Sequence, residues 1–177
     1  TLDKAQFSHP SEYCKATAMG KATAVAQHLQ ALGQIPLSEH RATLIIASDT
    51  IVVESNGSIL EKPCDVDHAK EMLQMLSGKQ CSVFSSVALL TVQCHPTLPK
   101  EIEIEERVFA DETLLTFHSL SDAFIADYVA SGEPMDKAGG FGIQGRGGVM
   151  IRRLEGCFWN VVGLPIPRLV WELGQFV

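Results

Sequence analysis

Positive charge is scarce in this chain of 177 residues, where 14 Lys and Arg stand against 21 Asp and Glu, for a net charge of −7. A protein that wraps a nucleic-acid backbone needs a basic face, so nucleic acid is not expected as a partner. A small phosphate pocket needs only a few placed lysines and stays open. Long apolar runs are also missing: no stretch approaches the ~18 to 20 residues of a membrane helix. The opening Thr1-Leu2-Asp3-Lys4 has no basic-then-apolar leader pattern, so a cytoplasmic protein with no membrane partner is expected. No Met begins the chain, which reads as processing or a fragment. Cys14, Cys64, Cys81, Cys94 and Cys157 are scattered, odd in number and without a CxxC pair. They read as reduced thiols acting as small hydrophobes, not as a disulfide frame or zinc site. The histidines show no ligand spacing. GxSxG, Walker A and strand-following Rossmann patterns are absent too, as are repeats and low-complexity segments.

An apolar fraction of 46% suffices for a core, and a charged fraction of 20% argues against disorder. Residues 10–33 read as a first helix, begun by Pro10-Ser11 and stopped by Gly33. Thr43 to Ala47 is a continuous apolar run, predicting a strand covered on both faces and ending in Ser48-Asp49-Thr50. Extended character resumes at Ile51-Val52-Val53, and Asn56-Gly57 predicts a hairpin turn returning through Ser58-Ile59-Leu60. Asp65 caps a predicted second helix to about Leu76, with Ala69, Met72, Leu73 and Leu76 on one face. Gln80 to Val92 and Glu101 to Phe117 read as long strands around a Cys94–Lys100 loop. In the second of them Ile102 and Ile104 alternate with glutamates, predicting one solvated face. Ser121 caps a third helix reaching Ser131-Gly132. A glycine-rich segment follows, then a short strand at Val149-Met150-Ile151 and a last helix from Leu164 to Leu173. This order predicts an α/β (α+β) protein with a mixed sheet, a single domain over 1–177.

Asp49 is the most informative residue, since a carboxylate at the end of a buried strand needs a cation partner or a proton to move. The competing reading is an ordinary turn aspartate. Lys62 precedes Pro63, which restrains its backbone to extended geometry and gives its stem a direction. Lys62 could meet a phosphate or be a solvated surface lysine, and Lys21, inside the first helix, could equally snorkel into solvent. Between Gly132 and Gly145 the glycines permit close backbone approach to a ligand, while Asp136, Lys137 and Gln144 offer a carboxylate, an ammonium and an amide.

Taken together, these blocks resemble the Maf family of nucleotide pyrophosphatases. They are Ser48-Asp49-Thr50-Ile51-Val52-Val53, Leu60-Glu61-Lys62-Pro63, Met72 to Gly78, Tyr128 to Pro134 with Asp136-Lys137-Ala138-Gly139, Gly142-Ile143-Gln144-Gly145, and Asn160 to Pro165. The resemblance runs in order from about Pro10 to the C-terminus. It implies two lobes with a cleft between them, as in the inosine-triphosphate pyrophosphatase group. It also implies hydrolysis of a nucleoside triphosphate to the monophosphate and pyrophosphate, assisted by Mg2+ or Mn2+. By position, Asp49 matches the catalytic proton acceptor, and Lys21, Lys62, Asp136 and Lys137 match cleft residues that hold phosphates or metal. Lys62 is placed with Asp49 in the catalytic set, and Asp49 and Asp136 are the candidate metal ligands. Thr50 and Gln144 match the pair of the dTTP/UTP-preferring branch, as opposed to the 7-methyl-GTP branch.

Three departures stand out. The family's N-terminal strand and Ser-rich, double-Arg loop are not in this sequence, its acidic pair before the first helix is Asp3-Lys4 here, and Glu61 replaces a usual Gly. A poorly active, aggregation-prone protein is expected from the first of these. A homodimer is left open. The alternative function is a catalytically weak nucleotide-binding regulator of septum formation.

Overall fold

The computed structural model describes residues 2–35, 42–94 and 102–176. Within them a single five-stranded sheet runs in the order β2-β1-β3-β4-β5. Its strands are β1 (Ala42–Glu54), β2 (Ile59–Leu60), β3 (Gln80–Cys94), β4 (Ile102–Phe117) and β5 (Ile151–Glu155). The helices are α1 (Pro10–Ala31), α2 (Val66–Leu76), α3 (Asp122–Ala130), α4 (Phe158–Val162) and α5 (Ile166–Phe176). The expected α/β character is present. The described pairings are antiparallel throughout rather than mixed. β3 returns beside β1 after the α2 excursion, and β4 and β5 each run opposite to the strand before them, so no parallel neighbour arises.

Strand alternation sorts the helices. On one face α1 lays Cys14, Ala18, Ala22 and Ala26, every fourth residue, against the sheet. Side chains this small let the helix approach closely, and Ile45, Ala88, Leu90 and Val92 fill the contact. The opposite face carries two separate packs. At one end α2 and α3 bury Met72, Leu73, Leu76, Ile125 and Tyr128 against Val52, Val83, Leu115 and Phe117. At the other, α5 covers Val87, Leu89 and Phe109 with Leu169 and Phe176. Full burial of one such large apolar side chain contributes about 1.5–3 kcal/mol. Ser48, Thr50 and Ser85 lie on the same face between the two packs.

Several expectations change. β1 does not stop at Ser48: it continues to Glu54, with Asp49 opposite Ser86 and Thr50 opposite Ser85. The polar triplet stays extended because β3 pairs with it residue by residue. Nor is β1 covered on both faces, for Ile45 is 6% exposed while Leu44 and Ile46 are 38% and 45% exposed. The reason is that α5 sits over β3 and β4, not over this end of β1. Residues 103–106 of β4 are exposed on both faces, Ile104 included, where one solvated face was expected. The predicted strand at Val149-Met150 is a tight helical turn, and β5 starts at Ile151. α4 was not foreseen, being only five residues long. The predicted loop lies mostly outside the described residues, and its Cys94 ends β3. Beyond Ile51, β2 meets β1 only at Val52 and Val53, so among the described residues 42–51 of β1 have a partner on one side alone.

Candidate active site

That unpaired edge of β1 is where the charged residues gather. From α1, Lys21 Nζ reaches the Asp49 carboxylate (Oδ1, 2.6 Å) and the Ser48 carbonyl (3.0 Å). Asp49 is held on its other side by Cys14, whose Sγ lies 3.7 Å from Oδ2 and 3.2 Å from the Asp49 carbonyl. Burial pushes the Cys14 thiol up to about 11, so at neutral pH it remains an S–H donor beside the carboxylate. The competing turn reading of Asp49 therefore falls: it is a strand residue, 14% exposed at its side chain, in an ion pair.

The hairpin then brings in Lys62. Leu60 pairs with Val52, and Glu61 is pinned by the Tyr13 hydroxyl (2.6 Å) and Lys4 (3.0 Å). The Glu61 carbonyl accepts the Gly139 N–H at 3.0 Å, tying the glycine-rich segment to the hairpin. Gly139 has φ +68, and a Cβ there would sit 2.8 Å from Val52 Cγ2, so both its conformation and its space require glycine. Lys137 pairs with Asp136 at 2.6 Å, which holds the Asp136 carboxyl below its usual range. The result is a cavity of about 310 Å³ with Lys21, Asp49, Thr50, Lys62, Asp136, Lys137 and Gln144 in its lining. Every residue singled out from the sequence meets there.

The structure adds groups the sequence did not point to. Ser85 Oγ donates its one proton to the Asn160 carbonyl (2.6 Å) and lies 2.8 Å from Thr50 Oγ1. Thr50 must then supply the proton of that second contact, leaving its oxygen an acceptor toward the cavity. Asn160 is fully buried and fully used: Oδ1 accepts the Ser85 N–H, and Nδ2 donates to the Val83 carbonyl and Thr113 Oγ1. Ser48 Oγ donates to the Gly163 carbonyl at 2.6 Å. Asn160 stands inside a block quoted above, but its partners are 47 to 77 residues distant, and no local pattern announces them.

Among the described residues no three His, Cys, Asp or Glu side chains come together to cage a metal. Two carboxylates do line the cavity. That donor set fits a hard cation of the Mg2+ kind, which takes one or two carboxylates and completes its shell with phosphate oxygens and water. No described helix is long and apolar enough to cross a membrane.

Three ammonium groups and two carboxylates around one cavity, beside a glycine-rich turn, define the class: an α/β protein with a pocket for a charged small molecule. Its relatives make the assignment particular. The profile of the family described as "Maf-like protein" matches residues 1–176, and the chain belongs to that family. It is 39% identical over 170 residues to a Bacillus cytotoxicus protein named dTTP/UTP pyrophosphatase, covering 96% of this chain and 77% of the relative. A Bacillus cereus protein of the same name is 41% identical with the same coverage. A human protein named "Probable bifunctional dTTP/UTP pyrophosphatase/methyltransferase protein" is 44% identical over 175 residues, 97% of this chain but 26% of that protein.

Proposed function

We propose that this protein hydrolyses nucleoside triphosphates, with dTTP and UTP preferred, to the monophosphate and pyrophosphate. The observation that carries this reading is the convergence of Asp49 with Lys21, Lys62 and Lys137 on one cavity. Attack of water on a polyphosphate needs positioning and charge neutralisation more than covalent help. The three lysines bind and neutralise the phosphate oxygens, Lys62 closest in role to the reacting anhydride. Asp49, oriented by Lys21 and Cys14, aligns a water and takes its proton. The water oxygen bonds to phosphorus at the α–β anhydride, the bridging oxygen departs with pyrophosphate, and the proton rests on Asp49. Asp49 and Asp136 would hold a divalent cation, Mg2+ or Mn2+, which would supply further charge neutralisation when bound.

The base preference follows from polarity. Uracil and thymine present an imide N–H between two carbonyls. Thr50, an acceptor toward the cavity, suits the N–H, and the Gln144 amide can serve a carbonyl. The fold is read as one domain whose two helical packs, α2/α3 and α5, flank the cleft. The test is pyrophosphate release from dTTP, UTP, GTP and 7-methyl-GTP with Mg2+ or Mn2+. A kcat/KM for UTP above those of both guanine nucleotides is expected. Equal or higher values for either overturn the base assignment, and nucleotide binding without pyrophosphate release overturns the enzyme in favour of a regulator.

A further inference from the structure

We infer that Glu133, together with Tyr128, is a positioning residue for base recognition that fixes the backbone segment presenting Gln144. The inference rests on the reading of Gln144 as a group that pairs with the base. Residues 142–147 contain three glycines, and such a segment has little side-chain packing to define its path. Beside one internal turn, in which the Gly145 N–H donates to the Gly142 carbonyl at 3.2 Å, what holds it in place is one carboxylate and one phenol. Glu133 Oε2 accepts the Arg146 N–H at 3.0 Å, and Oε1 accepts the Gly147 N–H at 3.1 Å and the Tyr128 hydroxyl at 2.9 Å. The Tyr128 oxygen in turn accepts the Gly142 N–H at 3.1 Å. Both ends of the segment are thus tied to the same pair, with Gln144 midway between the ties.

The contact leaves no slack. A Cβ on Gly145 would lie 2.5 Å from Glu133 Oε1, and one on Gly142 would lie 2.6 Å from Lys137 Cε. The segment therefore rests directly on the Glu133 carboxylate and the Lys137 stem, and its glycines are what allow it. Tyr128 is anchored independently, buried in the α2/α3 core at 1% exposure. Burial alone would raise the Glu133 carboxyl, but the Gly147 and Arg146 N–H groups and the Tyr128 hydroxyl outweigh it and hold it below the usual range. At neutral pH Glu133 is an acceptor on both oxygens, as three donors demand. Recognition groups displaced by about 1 Å lose much of their effect, so loosening this clamp reaches Gln144 while Lys21 and Lys62, on other elements, stay in place.

The experiment compares wild type, Glu133→Gln and Tyr128→Phe with UTP and GTP as substrates. Glu133→Gln keeps the size but sets an N–H against a backbone N–H, and Tyr128→Phe releases Gly142. In each variant the preference for UTP over GTP is expected to fall about 10-fold, through a higher KM for UTP with kcat held within about 3-fold. A purely structural role lowers kcat/KM for both substrates in parallel, and an unchanged ratio overturns the proposal. Should Glu133→Gln not fold, Tyr128→Phe reads the same ratio. Amide exchange on the wild type gives an independent reading: the Arg146 and Gly147 N–H groups are expected to be protected, and fast exchange of both overturns the clamp. A wild type that shows no UTP preference instead removes the base reading of Gln144, and the exchange result still decides whether the clamp exists.

Discussion

Asp49 has one carboxylate oxygen paired with an ammonium and the other 3.7 Å from a thiol whose single proton has a nearer acceptor in the Asp49 carbonyl, while its strand neighbours Ser48 and Thr50 point to the other face of the sheet. Replacing it with Asn keeps the shape and removes the proton acceptor. Turnover is expected to fall at least ~10²-fold, the lower end for acid–base groups, with the thermal midpoint little changed. Near-wild-type turnover in a folded Asp49→Asn protein removes it from the mechanism. At this scale the sequence was most informative about groups with chemistry of their own. A carboxylate in an apolar run and a lysine before a proline stand out from their neighbours. Cys14, Ser85, Asn160 and Glu133 do not, because their roles come from partners brought close by the fold. Ser85 and Asn160, 75 residues apart, have nothing local to say that they will share two hydrogen bonds.

Helices were legible where capping and periodicity agreed. Asp65 accepts the His68 N–H at 2.8 Å and starts α2, Ser121 accepts the Phe124 N–H at 3.2 Å and starts α3, and the predicted apolar face of α2 is the buried one. The strand break read at Ser48 failed because local polarity lost to pairing with β3 along its whole length. α4 was missed because five residues carry no helical period. Between elements, Glu61 joins the hairpin to α1 through Tyr13 and to the short turn at Lys4–Gln6. Burial pushes Tyr13 up to about 12, so it stays a donor. Burial would also raise Glu61, but the Tyr13 hydroxyl and Lys4 win and set it below its ordinary value of 4.5. A carboxyl lowered on folding adds stability above its unfolded value and loses it as pH falls through its folded one. Thermal midpoints of wild type and Glu61→Gln should therefore differ most near neutral pH and converge as pH drops below 4.5. Lys4 and Glu61 are both partly exposed, so their ion pair contributes about 1 kcal/mol or less to that gap. A gap that is constant with pH removes the ion pair as its cause.

For the molecule as a whole, the net charge of −7 and the lysines of the cavity pull in opposite directions. A polyanionic substrate approaches a protein that repels it at distance and attracts it at the site. Lys21 and Lys137 are each already neutralised by a carboxylate within 2.6 Å, so a bound phosphate competes with Asp49 and Asp136 for them. Both lysines are partly exposed, which leaves their attraction open to screening. KM for UTP is expected to rise with added KCl while kcat holds. A KM that does not respond to salt shows that the exposed lysines contribute little to binding.

The packing that flanks the cavity also decides how this protein looks to light. Its two tryptophans, Trp159 on α4 and Trp171 on α5, both stand on the C-terminal helices and are 43% and 59% exposed. Trp159 immediately precedes Asn160, the buried residue that secures Ser85 and through it Thr50. Emission from the indoles therefore reports on α4, α5 and the network behind the cavity more directly than on α2 and α3. An unfolding curve followed by tryptophan emission tracks one side of the cleft, while far-ultraviolet dichroism weighs α1, α2 and α3 as well. Coincidence of the two curves would mean that the two packs melt as one cooperative unit.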